Sequence, residues 1–366
     1  MSDADRTLDL GSLPPIDVLA TIELAPGQRL RGTPYLVVRR LGRGGMGDVY
    51  EVAEGSLEGP RYALKLLHAA LCHRADIALR FQQEAMVAAR VDHPGVVRVF
   101  ALGETSDGRP YLLMELLRGR DLRAELARGG PMSEARALDL AAQALDGLAA
   151  AHAAGVVHRD VKLENLFLTD EGALKVLDFG IAKIMENEAS FTLPGAVVGT
   201  LRSMAPEQFA QAAVDARADV YAAGLALYEL VTGRGPFDEL RGLPLALQFA
   251  HCERTPPPPS RLARRPIATG VEAAILRALA KSPADRFQSA GEMARTLRGL
   301  VTPALLPTRE IASISISIST STSIRRFHRP VRALIPAVLA AMFALGVAVG
   351  RAYAEPPTTA AAAVIR

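Results

Sequence analysis

The chain has 366 residues, 49% hydrophobic and 22% charged, and its 42 basic and 39 acidic side chains give a formal net charge of +3. Such a length holds about two ordinary domains or one large two-lobed domain, and the composition excludes a disordered or fibrous chain. So small a net charge argues against nucleic acid as a partner, and Cys72 and Cys252, without CxxC spacing, argue against a disulfide framework or metal finger.

Met1 to Asp9 is acidic and lacks the basic-then-apolar pattern of a secretory signal. Residues 1–34, with Pro14, Pro15 and Pro26 and no sustained period, are expected to form a flexible leader. From Tyr35 the pattern changes: Tyr35 to Leu41 and Val49 to Ala53 read as strands flanking a glycine-rich turn, and Arg61 to Leu67 as a third. Ala75 to Val91 then carries apolar residues at helical spacing, and Met132 to Ala154 is a longer helix pattern that begins at Ser133. Further helices are expected over Asp219 to Thr232 and Val271 to Lys281. A small sheet-rich lobe, 35–115, therefore precedes a larger helical lobe, 116–300, an α+β arrangement.

Residues 301–332 form an expected linker in which Ile311 to Ile324 alternates Ile with Ser or Thr. A tether fits this better than a strand, because an isolated strand is marginal and aggregation-prone. Ala333 to Gly350 is uncharged and largely apolar, long enough at about 27 Å to cross a bilayer as a helix. A transmembrane helix over 333–354 is the expectation, with a buried helix as the alternative. Arg325, Arg326, Arg329 and Arg332 precede the run and only Arg351 and Arg366 follow it, which places the preceding domain on the cytoplasmic side and the tail, 355–366, outside. That tail is too short to fold as a sensor. Gly346 and Gly350 would let two such helices approach closely and form a homodimer.

Gly42, Gly44 and Gly47 in LGRGGMGDV let backbone amides approach phosphate oxygens with no side chain between. A dinucleotide-binding turn or an ordinary hairpin gives the same string, although a strand rather than a helix follows here. Lys65 lies in the third strand and needs an anion if it faces inward; Glu84 on the next helix can pair with it. Read singly, each is an ordinary solvated charge. The denser pattern is His158 to Phe167 (HRDVKLENLF), followed by Asp178, Phe179 and Gly180. Asp160 can accept a hydroxyl proton, Lys162 can neutralise a moving phosphoryl group, and Asn165 and Asp178, with room for a hairpin between them, can hold a hard cation through oxygen.

In this order the residues resemble the protein kinase family, over about Tyr35 to Leu300. The resemblance implies a two-lobed fold with a β-rich N-lobe carrying one main helix and a larger helical C-lobe. It implies ATP and Mg2+ as cofactors, with Mn2+ as a substitute, and protein substrates offering Ser or Thr hydroxyls. ATP would then be surrounded by Leu41, Gly42, Gly44, Gly47, Val49, Ala63, Lys65, Glu84, Glu115, Leu117 and Phe167. Lys65 would touch the α and β phosphates with Glu84 as its helix partner, and Phe167 would form the adenine floor. The same resemblance makes Asp160 the catalytic base, assisted by Lys162, and makes Asn165 and Asp178 the metal ligands. It pairs Glu207 of the Ala205–Pro206–Glu207 element with Arg286, and has Asp219 brace the catalytic loop.

Arg159 resembles the arginine through which a phosphorylated activation segment is ordered, with Thr192 and Ser190 as acceptors and Thr200 placed against Asp160 and Lys162. Lys162 and Gly199 to Glu207 resemble the serine/threonine-directed members, in signal transduction at a membrane. The sequence departs from the family at Tyr62, where a smaller apolar residue is frequent, at Leu163, where proline is common, at Phe167, where leucine is usual, and at Leu201 and Ser203 before the Ala-Pro-Glu element. A larger ring at Phe167 implies a tighter nucleotide pocket. A membrane-tethered pseudokinase scaffold is the alternative reading; a metabolite kinase fits less well, because the activation and Ala-Pro-Glu elements resemble machinery for protein acceptors.

Overall fold

Three antiparallel strands, β1 (Tyr35–Arg43), β2 (Gly47–Glu54) and β3 (Arg61–Leu67), begin the computed structural model, which describes residues 24–178, 201–210 and 213–301, less the side chains of residues 75, 76, 80, 84, 85 and 87. The first 23 residues, the stretch holding Phe179, Gly180, Ser190, Thr192 and Thr200, and everything from residue 302, including the apolar run and the Gly346/Gly350 pair, lie outside the described residues. Strands β4 (Val99–Glu104) and β5 (Pro110–Met114), which the sequence reading did not pick out, complete a five-stranded sheet in the order β1-β2-β3-β5-β4.

Strand alternation divides this sheet's side chains between two faces. Tyr50, Val52, Leu64 and Leu66 pack with Tyr35, Val37 and Leu113 on the outer face. Ala63 of β3 instead packs with Val97 and Met114, and Val49 joins them. Register shifts between Val37 and Arg39 and between Arg40 and Gly42 bend β1 into the glycine-rich turn.

Residues 24–34, assigned by the sequence to a flexible leader, are part of the fold. Gly27 N donates to Val37 O, Leu30 N to Tyr35 O and Arg29 Nη2 to Gly55 O, and Leu30 is buried on the outer face of the sheet. The Pro26–Gly27 pair that reads as a flexible break is a tight turn, with Gly27 at φ 82°, and it returns Leu30 to apolar surface.

Short α1 (Ala69–Cys72) and α2 (Ala75–Ala88) follow β3. The helical lobe contains α3 (Leu122–Gly129), α4 (Glu134–Ala153), α5 (Pro206–Phe209), α6 (Ala216–Thr232), α7 (Pro244–Cys252), α8 (Thr269–Ala278) and α9 (Ala290–Leu300). A small sheet joins β6 (Gly119–Asp121), just before α3 in the chain, to β7 (Leu166–Thr169) and β8 (Leu174–Val176), which lie between α4 and α5. Side-chain caps fix the helix starts: Ser133 accepts from Arg136 N, Asp215 from Arg217 N and Ser289 from Glu292 N. Every residue from Ala218 to Thr232 is buried, so α6 is the axis of the larger core, and Gly233 at φ 83° ends it.

Candidate active site

The site is built outward from α6. Asp219 is fully buried; its Oδ2 accepts from His158 N at 2.7 Å and meets His152 Nε2 at 2.8 Å, while Oδ1 accepts from Arg159 N at 2.8 Å. Two consecutive amides can point at one carboxylate because Arg159 takes a left-handed backbone, φ 65°, an unusual state for a side-chain-bearing residue. The strained turn thereby fixes the residue that follows, Asp160.

Asp160 Oδ2 accepts from Lys162 Nζ at 2.8 Å and from Asn165 Nδ2 at 3.2 Å, and the same amide nitrogen donates to Asp160 O at 2.8 Å. Because Asn165 commits its nitrogen to Asp160, its Oδ1 is the atom left for a cation. His158 Nδ1 accepts from Asp160 N at 3.2 Å, so Nε2 carries the proton and donates to Leu177 O at 2.8 Å. Leu177 N in turn donates to Asn165 O. Asp178, next in the chain, has φ 37° and lies 3.1 Å from Lys65 Nζ of β3. Asp160, Lys162 and Asn165 thus form one contact set, joined through the Leu177 backbone to Asp178, which with Lys65 lines a cleft beside Val97, Val99 and Met114.

Above that cleft, Gly44 N donates to Gly47 O at 2.9 Å, and Gly42 pairs with Val49 across the β1/β2 turn. A Cβ on Gly47 would lie 2.3 Å from Leu66 O, so glycine is required there by space. Ala63, Val49 and Leu117 share one apolar cluster with Val97, Met114, Leu116 and Leu177, four residues that sequence reasoning did not name. Leu41 is exposed at 38% on the rim. Phe167, expected as the floor, is half-buried on β7 opposite Lys175 and is not among the described side chains packed on that cluster. Glu115 commits its carboxylate to Lys175 Nζ at 2.6 Å and to Arg98 N at 2.7 Å. Glu84 lies on α2, with its side chain outside those described.

Two ion-pair clusters flank the catalytic loop. Arg286, 1% exposed, donates through both Nη atoms to Glu207 at 2.7 and 2.8 Å and also reaches the carbonyls of Ala280, Lys281 and Arg217. The second cluster escaped the sequence reading. Arg123 on α3 donates to both oxygens of Glu229 on α6 and to Glu164, while Arg202 bridges Glu229 and Asp238. These residues line a cleft with Lys162 and Ser203. Deeper, burial lowers the His251 imidazole to about 3, helped by the positive charges of Lys281 and Arg202.

A β-rich lobe over a helical one, with a basic strand residue meeting a carboxylate beside a braced acid, defines the phosphotransferase class to which protein kinases belong. Residues 35–289 match the protein kinase domain, and the chain belongs to that family. It is 44% identical over 259 residues to serine/threonine-protein kinase Pkn1 of Myxococcus xanthus, covering 70% of this chain and 36% of that protein. It is 40% identical over 256 residues to serine/threonine-protein kinase PknB of Mycobacterium leprae, covering 69% of this chain and 40% of the relative. The chain therefore spans about two fifths of the length of the curated relatives it matches. The solved kinase domain of Mycobacterium tuberculosis PknI is similar at 33% identity and a TM-score of 0.59, covering 76% of this chain and 98% of that one.

Proposed function

We propose that this protein is a serine/threonine protein kinase that transfers the γ-phosphoryl group of ATP to protein hydroxyls. The observation that carries the reading is Asp160 held by Lys162 and Asn165, with the Asp178 that meets Lys65 one residue beyond the Leu177 amide bonded to Asn165 O. Asp160 would accept the acceptor hydroxyl's proton, and Lys162, already on Oδ2, would shift toward the charge that develops on the transferred group. Lys65 and Asp178 neutralise each other across the cleft and would exchange that contact for phosphate and cation. Glu84 would hold Lys65, the apolar cluster would enclose the adenine together with Glu115, Leu117 and Phe167, and Leu41 would cap it.

One carboxylate and one amide oxygen, with no sulfur or imidazole, suit a hard cation such as Mg2+, or Mn2+ in its place. Among the described residues no group of three His, Cys, Asp or Glu side chains could hold a metal alone, so phosphate oxygens and water would complete the shell. The cation would neutralise phosphate charge during transfer. Serine and threonine acceptors are supported by Lys162 and by the similarity to serine/threonine-protein kinases. Phosphate on Thr192 or Ser190 would engage Arg159, and Thr200 would contact Asp160 and Lys162.

Ala333 to Gly350 would anchor the kinase as a single-pass protein with its catalytic domain in the cytoplasm, the basic flank on that side and Gly346/Gly350 at a homodimer contact. No described helix is long and apolar enough to cross a membrane, so the anchor rests on sequence alone. Alkaline extraction of membranes tests it: release into the supernatant removes the anchor. For the activity, labelled phosphate should pass from ATP to a Ser/Thr peptide with the wild type and fall at least about 1,000-fold with Asp160→Asn. Equal transfer by both would reject the assignment.

A further inference from the structure

The glycine-rich turn has a second support, on the face of the sheet away from the nucleotide cleft. Asp48 is 1% exposed and His68 3% exposed, although neither belongs to the machinery described above. Alternation along β2 puts Asp48 on the same face as Tyr50 and Val52, and beyond β3 His68 continues the face of Leu64 and Leu66. His68 Nε2 lies 3.4 Å from Asp48 Oδ1, and Arg43 Nε reaches the same oxygen at 3.4 Å from β1. His68 N also donates to Met46 O at 2.9 Å, and Met46 packs against the cluster of Leu67, Ile77, Phe81 and Leu112.

A buried carboxylate and a buried imidazole are each costly unless something compensates them. Neither ring nitrogen of His68 completes a hydrogen bond among the described residues, so the carboxylate of Asp48 is the group that accounts for its burial. The turn itself, Gly44–Gly45–Met46–Gly47, is the part of the sheet least able to hold its own shape, because glycine restricts the backbone least. Asp48 adjoins Gly47, Arg43 adjoins Gly44 and His68 grips Met46. The side-chain contact therefore ties both ends of the turn to the end of β3, while the backbone amide of His68 separately holds its middle.

We propose that His68, acting through Asp48, is a positioning residue that sets the height of the glycine-rich turn over the phosphates. The inference rests on the nucleotide-binding reading given above. It differs from a purely structural role in one respect: it predicts a loss confined to ligands that carry phosphate. Adenosine would be enclosed by the apolar cluster of Ala63, Met114 and Leu117, which includes none of the tether's residues, whereas the triphosphate would lie under the turn.

The experiment measures the affinity of the full chain for ATP with Mg2+ and for adenosine, by calorimetry, in wild type, Asp48→Asn, His68→Leu and the double variant. Asp48→Asn keeps the size of the side chain, so it carries the test even where His68→Leu fails to fold. Each single variant should bind ATP about five- to tenfold more weakly with adenosine affinity unchanged, and the double variant should be no worse than the weaker single one, as expected for partners in one contact. Equal losses for ATP and adenosine, or full additivity in the double variant, would overturn the proposal. Wild type that binds ATP, with variants that bind it equally well, would overturn it while leaving the kinase reading intact; a wild type that binds neither ligand overturns both.

Discussion

The two lobes are held together by different physics. Around α6 a single apolar cluster takes in most of the helical lobe, and the charges buried there, Asp219 and Arg286, each have several partners. The β-rich lobe is divided among three small clusters, and the charge that faces its cleft, Lys65, meets a carboxylate whose side chain is 45% exposed. A group that must hold a loop in one strained conformation is buried and saturated with hydrogen bonds. A group that must exchange its partner for substrate is left near water, where exchange costs little. Removing charges one at a time tests this division, because stability and activity should respond in opposite order.

Arg286→Met should have the largest effect on stability. It leaves the largely covered Glu207 without its partner and strips three carbonyls of a donor, a loss of about 3–5 kcal/mol. Denaturant unfolding measures it, and a loss below about 1 kcal/mol would show that the pair contributes no more than a surface ion pair. Asp219→Asn comes next. The amide keeps one acceptor oxygen but puts an NH2 where the other stood, so it cannot accept from both His158 N and Arg159 N, and the expected cost is about 2–3 kcal/mol. The displaced loop should also lower kcat by about 100-fold, so normal turnover in a folded Asp219→Asn protein would remove the brace from the mechanism.

The sequence made one half of this contrast readable. Asp160, Lys162 and Asn165 lie within six residues, and their chemistry shows in the spacing. Glycine punctuation and alternation exposed β1, β2 and β3, and the period of 3.6 exposed α2 and α4. Strands β4 (VFALGE) and β5 (PYLLM) are short and carry no clean alternation, since their burial is decided by strands far along the chain. Helix α9 was legible but not read, with Ala290, Met293, Ala294 and Leu297 on one buried stripe. The contacts that span the fold left no local trace. Arg123 and Glu229 are 106 residues apart, and the Asp48–His68 approach depends on the β2/β3 register, in which Asp48 pairs with Leu66. Pro26 misled in the other direction, because a turn that packs and a turn that leads nowhere have the same composition.

A third perturbation uses pH in place of substitution. His251 is neutral in the fold, its imidazole lowered from 6.5 to about 3 by burial and by Lys281 and Arg202. Between those values the unfolded chain binds a proton that the folded one refuses, so stability is complete above pH 6.5 and falls as pH drops toward 3. Tyr221 Oη lies 3.0 Å from His251 Nδ1, and Lys281 donates to the carbonyls of Ala250 and His251. A glutamine at this position keeps a polar group but cannot titrate. His251→Gln should therefore flatten the acid limb of a stability–pH curve by up to a few kcal/mol; an unchanged slope would assign that limb to other groups.

The smallest effect on stability should belong to the pair to which the proposed mechanism assigns the phosphate and the cation. Asp178 and Lys65 meet at 3.1 Å with side-chain exposures of 45% and 13%. Solvent screens the carboxylate, so the contact should be worth no more than about 1 kcal/mol. Asp178→Asn should unfold within that margin of wild type in denaturant, yet lose phosphoryl transfer almost entirely, because an amide in place of the carboxylate no longer offsets the charge of a divalent cation. A stability loss as large as that of Arg286→Met would mean that the cleft is braced in the same way as the helical lobe. The contrast between a saturated scaffold and an exchangeable site would then fail at its most exposed member.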